Sequence, residues 1–224
     1  MTTTNRQWLI NGRPLGRQLA DSDFKWVETS VLAPREGEVL VRNMVLSFDP
    51  AQKGWMENIG GYVAPTEIGE VMRGRGVGEV LESRDPRFKP GDKVAGMLRW
   101  QDYATIAAKE LEPVADDELL TANLGALGTT GMTAYFGLYK IGRPFPGDTV
   151  VITGAAGATG SMVGQIAKLA GCRVIGIAGG VEKCAWLKET CGFDEAIDYK
   201  AQNVRAEVKR LAPKGIDLLW GNVG

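Results

Sequence analysis

Histidine is absent from all 224 residues of this chain. That absence removes a zinc centre built on the usual His-containing ligand set. It also removes an imidazole general base and a Ser-His-Asp triad. Cysteine is nearly as scarce. Cys172, Cys184 and Cys191 are an odd number, all late in the chain and without metal-ligand spacing, so the expectation is no metal and three small packed hydrophobes. No apolar run reaches membrane-spanning length. Neither sign of charge dominates: 26 Lys and Arg face 27 Asp and Glu, a net charge of −1. The basic residues are scattered, so neither a nucleic acid nor a membrane is an expected partner. The opening Met-Thr-Thr-Thr-Asn-Arg-Gln-Trp lacks the basic-then-apolar order of a secretion signal, and a cytoplasmic address is expected. Chemistry must then come from a cofactor, from Tyr, Lys or carboxylates, or from ordered water.

What is present points to a dinucleotide. The run Val150-Val-Ile-Thr-Gly-Ala-Ala-Gly-Ala-Thr-Gly160 takes a β-branched strand into a glycine turn. An amphipathic helix follows, with Val163, Ile166, Ala167 and Ala170 on one face. A second apolar run, Arg173–Ala178, completes a βαβ unit of about 30 residues. Such a turn lets backbone N–H groups at a helix start approach a pyrophosphate. Gly157 stands where phosphate comes close, and Gly160 where helix and strand pack. Gly154 precedes Ala155, which takes the place of the usual first glycine, so the fingerprint is a variant. The second strand ends in Ala178-Gly179-Gly180 without the acid that binds a ribose 2′-OH. Lys183 follows, beside Glu182, and favours NADP(H) over NAD(H).

Before residue 120 helical periodicity is scarce. Short β-like runs cover Gln7–Ile10, Val39–Leu46, Val77–Glu82, Lys93–Leu98 and Tyr103–Ala107, with a turn at Pro90-Gly91-Asp92. The glycines between Gly69 and Gly78 suggest bulged or closely packed strands. Leu124–Leu127 and Thr130–Lys140 read as helical, and Pro146-Gly147-Asp148 launches the dinucleotide strand. The expected domains are residues 1–125, a β barrel or half-barrel, and 126–224, the dinucleotide domain.

Several stretches carry a family resemblance: Leu46-Ser-Phe-Asp-Pro50, Gly69-Glu-Val-Met-Arg73 with Gly76-Val-Gly78, Phe88-Lys-Pro-Gly-Asp92, and Leu127-Gly-Thr-Thr-Gly-Met-Thr-Ala-Tyr-Phe-Gly137. Gly164-Gln-Ile-Ala-Lys-Leu169, Glu182-Lys183 and Ile197-Asp-Tyr-Lys200 continue the series. The chain resembles the zinc-independent medium-chain dehydrogenases/reductases. Within them it is most similar to the leukotriene B4 dehydrogenase/prostaglandin reductase group, with its alkenal double-bond reductases and curcumin reductases. The resemblance implies a GroES-like β domain followed by a Rossmann domain. It also implies NADPH-dependent reduction of the C=C bond of α,β-unsaturated ketones or aldehydes, with hydride delivered to the β-carbon.

By position, the resemblance implies a cofactor loop of Gly154, Gly157, Ala158, Thr159 and Gly160. It places Lys183 and Tyr199 near the 2′-phosphate, Asn222 beside the cofactor, and Thr133 toward the nicotinamide half. Tyr62 is the candidate pocket wall. Relatives often carry tyrosine where Ala51 and Arg75 stand, and Phe-Asp-Asn where Trp220-Gly-Asn222 stands. No residue is identified as the proton donor.

Four parallel strands can be counted, Thr149–Thr153, Arg173–Ala178, Glu195–Asp198 and Ile216–Trp220. A full domain of this kind has six, in the order 3-2-1-4-5-6. The expectation is therefore a partial Rossmann domain, truncated at its C-terminus, holding NADPH poorly and turning over negligibly by itself. A full-length form is expected to be the reductase and, on the resemblance, a homodimer. Two alternatives stay open: a quinone oxidoreductase of the same superfamily, and a non-catalytic nucleotide-binding remnant.

Overall fold

The computed structural model describes residues 3–58, 63–114 and 120–223. The chain forms two compact units, Met1–Leu124 and Gly125–Gly224.

The first unit is β-rich. Strand β1 (Thr4–Ile10) pairs antiparallel with β2 (Phe24–Ser30). A five-stranded antiparallel sheet has the order β6-β3-β4-β5-β7, from β3 (Glu38–Leu46), β4 (Gly76–Ser83), β5 (Lys93–Gly96), β6 (Tyr103–Ala107) and β7 (Glu112–Pro113). Alternation buries Val39, Val41, Val80 and Val94 against Leu98, Ala104 and Leu111. The expected crowding of glycines is found where β4 crosses β3. A Cβ on Gly78 would stand 2.5 Å from the Arg42 carbonyl oxygen, and the β3–β4 register shifts at two points.

Three features of this unit go beyond what the sequence announces. One short helix, α1 (Ala51–Glu57), follows Pro50. Its seven residues are too few for a periodic signal to stand out. Strand β2 was missed because Phe24–Ser30 is mostly exposed and carries no clean alternation. Strand β5 ends at Gly96 rather than Leu98, because Leu98 turns back to bond the Gly96 carbonyl.

The second unit is a four-stranded parallel sheet of order β10-β9-β8-β11, from β8 (Thr149–Thr153), β9 (Arg173–Ala178), β10 (Glu195–Asp198) and β11 (Leu218–Trp220). Numbered within the sheet this is 3-2-1-4, the doubly wound order. Val150, Ile152 and Val174 face α3 (Ala158–Leu169) and α4 (Val181–Glu189), burying Val163, Ala167 and Leu187. Val151, Ile175 and Ile177 face the other way, toward Val204, Val208 and Leu211 of α5 (Val204–Leu211). Crossovers on both faces explain why β8 is apolar throughout rather than alternating.

Helix α2 (Thr129–Phe136) runs on as a π-turn over Gly137–Gly142. The Trp220 indole packs against Gly137, where a Cβ would come within 2.4 Å. The expected helix at Leu124–Leu127 is instead a 3₁₀ turn at Thr121–Leu124, and the fourth strand starts at Leu218, not Ile216.

The two Pro-Gly-Asp turns are built alike. Gly91 and Gly147 have φ of +92° and +93°. Asp92 Oδ2 accepts the Lys89 N–H at 2.8 Å, and Asp148 Oδ2 accepts the Phe145 N–H at 2.8 Å. Proline at the second turn position and a left-handed glycine at the third make each a type II turn.

Candidate dinucleotide site

The candidate site lies where β8 gives way to α3. β8 ends at Thr153, and Gly154 reverses the chain with φ +58°, a conformation glycine adopts without strain. Ala155 tucks in, fully buried, its N–H donating to the Ile177 carbonyl at 3.1 Å. Gly157 caps α3 in an extended conformation. The helix starts at Ala158, so Ala158, Thr159 and Gly160 are its first turn rather than part of the loop before it.

The two outer glycines differ in kind. A Cβ on Gly160 would stand 2.5 Å from the Gly154 carbonyl oxygen and 2.9 Å from the Ala155 Cα. Helix and loop are in contact there. A Cβ on Gly157 would meet only the Gly154 oxygen, at 3.2 Å. Interior packing thus demands a bare Gly160, whereas Gly157 leaves open space above the loop. The N–H groups of Ala158, Thr159 and Gly160 have no intrahelical acceptor by position, and no other backbone acceptor among the described residues. Three free donors at a positive helix end are suited to anionic oxygens.

The other expected residues gather around this loop unequally. Lys183 lies in the first turn of α4, exposed and without a hydrogen bond or ion pair among the described residues. A cavity of about 280 Å³ opens between α4 and the loop, lined by Ala156, Glu182, Lys183 and Trp186. Tyr199 follows β10, its ring over Gly179, where a Cβ would lie 2.8 Å from two ring carbons and from the phenolic oxygen. Asn222 crosses the loop's other side. Its N–H donates to Thr153 Oγ1 at 3.0 Å, and its side chain lies against Gly154. Thr133 sits in the middle of α2, and its hydroxyl donates to the Thr129 carbonyl at 2.7 Å. Tyr62 falls outside the described residues.

The reading that no acid stands at the tip of β9 is corrected. The Asp198 carboxylate reaches that tip from β10 and accepts the Gly180 N–H at 2.8 Å. Local spacing could not show this, because 18 residues separate the two. A second acceptance, from the Lys200 N–H at 3.0 Å, joins the first. The Gly180 bond, then the Lys200 bond, hold this carboxyl below the usual carboxylate range.

The three cysteines are free. Cys172 and Cys191 are buried and Cys184 half-buried. Burial pushes all three thiols up, away from nucleophilic use. No group of three or more His, Cys, Asp or Glu side chains among the described residues could hold a metal ion. No helix among them is long and apolar enough to cross a membrane.

Comparison with known proteins fits this architecture. Residues 6–114 match a family described as the N-terminal domain of oxidoreductase, and residues 158–224 one described as zinc-binding dehydrogenase. The chain is 42% identical over 221 residues to the NADPH-dependent curcumin reductase of Escherichia coli, covering 98% of this chain and 64% of that protein. It is 42% identical to the NADP(+)-dependent 2-alkenal reductase of Nicotiana tabacum, covering 99% and 66%. The chain belongs to the medium-chain dehydrogenase/reductase family, in the group of the curcumin, 2-alkenal and prostaglandin reductases. The crystal structure of CurA from Vibrio vulnificus in complex with NADPH superposes with a TM-score of 0.90 at 42% identity, over 98% of this chain and 65% of that one. A quinone oxidoreductase structure from Pseudomonas syringae is more distant, with a TM-score of 0.72 at 25% identity over 97% of this chain and 66% of that one. The chain spans about two thirds or slightly less of these relatives' lengths.

Proposed function

We propose that the protein is an NADPH-dependent reductase of α,β-unsaturated ketones and aldehydes. The observation that carries this reading is the free-donor first turn of α3 after Gly157, preceded by Ala156, which lines an open cavity together with Lys183. It occurs in a chain 42% identical to an NADPH-dependent curcumin reductase.

The residues present fit the cofactor. The N–H groups of Ala158, Thr159 and Gly160 would bind pyrophosphate oxygens, and Gly157 would let them approach. Lys183 would pair with the 2′-phosphate, with Tyr199 beside it. A charge-assisted contact of this kind is worth about 1–3 kcal/mol. Asn222 would hold the cofactor's edge over Gly154. The chemistry the cofactor would supply when bound is the hydride for the β-carbon of the enone. The chain's own share is to bind and orient, which suits a sequence without histidine. The structural likeness to a quinone oxidoreductase keeps quinone reduction as the second reading.

The test is a paired assay of this chain and of a version extended to the length of its relatives. Each is given NADPH with an aryl enone and, separately, with a quinone. The reading expects NADPH consumption matched by saturated ketone. Hydroquinone without any saturated ketone would favour the second reading, and no turnover of either substrate by the extended protein would refute both.

A further inference from the structure

Asp198 joins two strand tips. Its Oδ1 accepts N–H groups from Gly180 at 2.8 Å and Lys200 at 3.0 Å. Its own N–H donates to Gln202 Oε1 at 2.9 Å, and its carbonyl accepts from Gln202 at 2.8 Å. Gly180 is the residue before α4 and has φ +101°, a conformation side-chain-bearing residues rarely adopt. The bond from Asp198 therefore fixes the last flexible link before the helix that carries Lys183. On the other side of the carboxylate, the Tyr199 N–H donates to the Ala178 carbonyl at 3.1 Å, and its ring covers Gly179.

We infer that Asp198 is a positioning residue that sets the Gly179–Gly180 turn so that Lys183 and Tyr199 meet one 2′-phosphate together. The inference rests on the dinucleotide reading of this site given above. In NAD-selective sites the acid belongs to the second strand and accepts the ribose hydroxyl. Here the acid arrives from β10 and is aimed at backbone. Two N–H donors on one oxygen spread its charge into the turn, so it organises the phosphate pocket instead of opposing the phosphate.

The test compares wild type, Asp198→Ala and Asp198→Asn by titration with NADPH and with NADH, alongside thermal midpoints. Wild type should prefer NADPH. Asp198→Ala, which removes the acceptor of both N–H groups, should lower the NADPH-to-NADH preference by about tenfold, or about 1.4 kcal/mol, while NADH affinity hardly moves. Asp198→Asn keeps an acceptor oxygen and should retain most of the preference. If Asp198→Ala does not fold, Asp198→Ser is too short to reach Gly180 and should show the same shift. A purely structural role would lower the thermal midpoint or weaken both cofactors alike with the preference unchanged, and that result overturns the inference. A preference lost in Lys183→Ala but kept in Asp198→Ala would leave the dinucleotide reading standing and sink this inference alone. A wild type without preference would sink both.

Discussion

Each of the two units is held together internally by its own kind of contact. In the second unit the packing that fixes the turn into α3 is close in sequence. Gly160 lies on the Gly154 carbonyl six residues away, and α3 packs on the two strands that flank it. In the first unit, polar side chains bridge long stretches of chain. Asn5, only 6% exposed, donates to the Tyr103 carbonyl at 2.9 Å and accepts the Tyr103 N–H at 3.0 Å. It thus mimics a strand partner for β6 across 98 residues. Asp23, 1% exposed, is by contrast held locally, accepting from Arg17 at 2.5 and 2.8 Å and from the Ala20 N–H at 2.8 Å. A ligand loop formed by local turn chemistry can be ready to bind as soon as its βαβ unit folds. A β unit closed by distant amides depends on side chains whose partners no local pattern announces.

The contrast can be broken hardest at Gly160. Gly160→Val would drive methyl groups into the Gly154 carbonyl and the Ala155 Cα. Dinucleotide binding should be abolished in a titration, and stability should fall by about 1–3 kcal/mol or more by denaturant unfolding. Gly157→Ala, which meets only one oxygen at 3.2 Å, should leave stability nearly unchanged and weaken binding instead. Asn5→Ala makes the opposite cut. It strips Tyr103 of both partners and should cost about 1–3 kcal/mol in thermal or denaturant unfolding, with NADPH affinity unaltered. The smallest effect is acidic. Arg17 holds the Asp23 carboxyl down at about 2, against about 3.9 for an unfolded chain. Between those values the unfolded chain binds more protons than the folded one. The contribution is therefore complete above pH about 4 and lost as pH falls toward about 2. Asp23→Asn should flatten the fall of the thermal midpoint over that window, and an unchanged slope would contradict the assignment.

The same contrast governs what the sequence makes legible. The parallel order, the β8 and β9 bounds and the crowding at Gly160 follow from local periodicity and glycine spacing. Lys183 reaches the cavity because helix phase is local too. Asp198 was missed, since its partner Gly180 lies beyond the end of another strand, 18 residues away. Asn5 was missed because its partner Tyr103 lies 98 residues on, and α1 because seven residues give too short a periodic signal.

The central claim is that Lys183 reads the 2′-phosphate across the cavity beside Ala156. The direct measurement is the dissociation constant of NADPH and of NADH for the wild type and Lys183→Ala. The account predicts a loss of about 1–3 kcal/mol for NADPH and no change for NADH. Equal losses for both cofactors, or none for either, would contradict it.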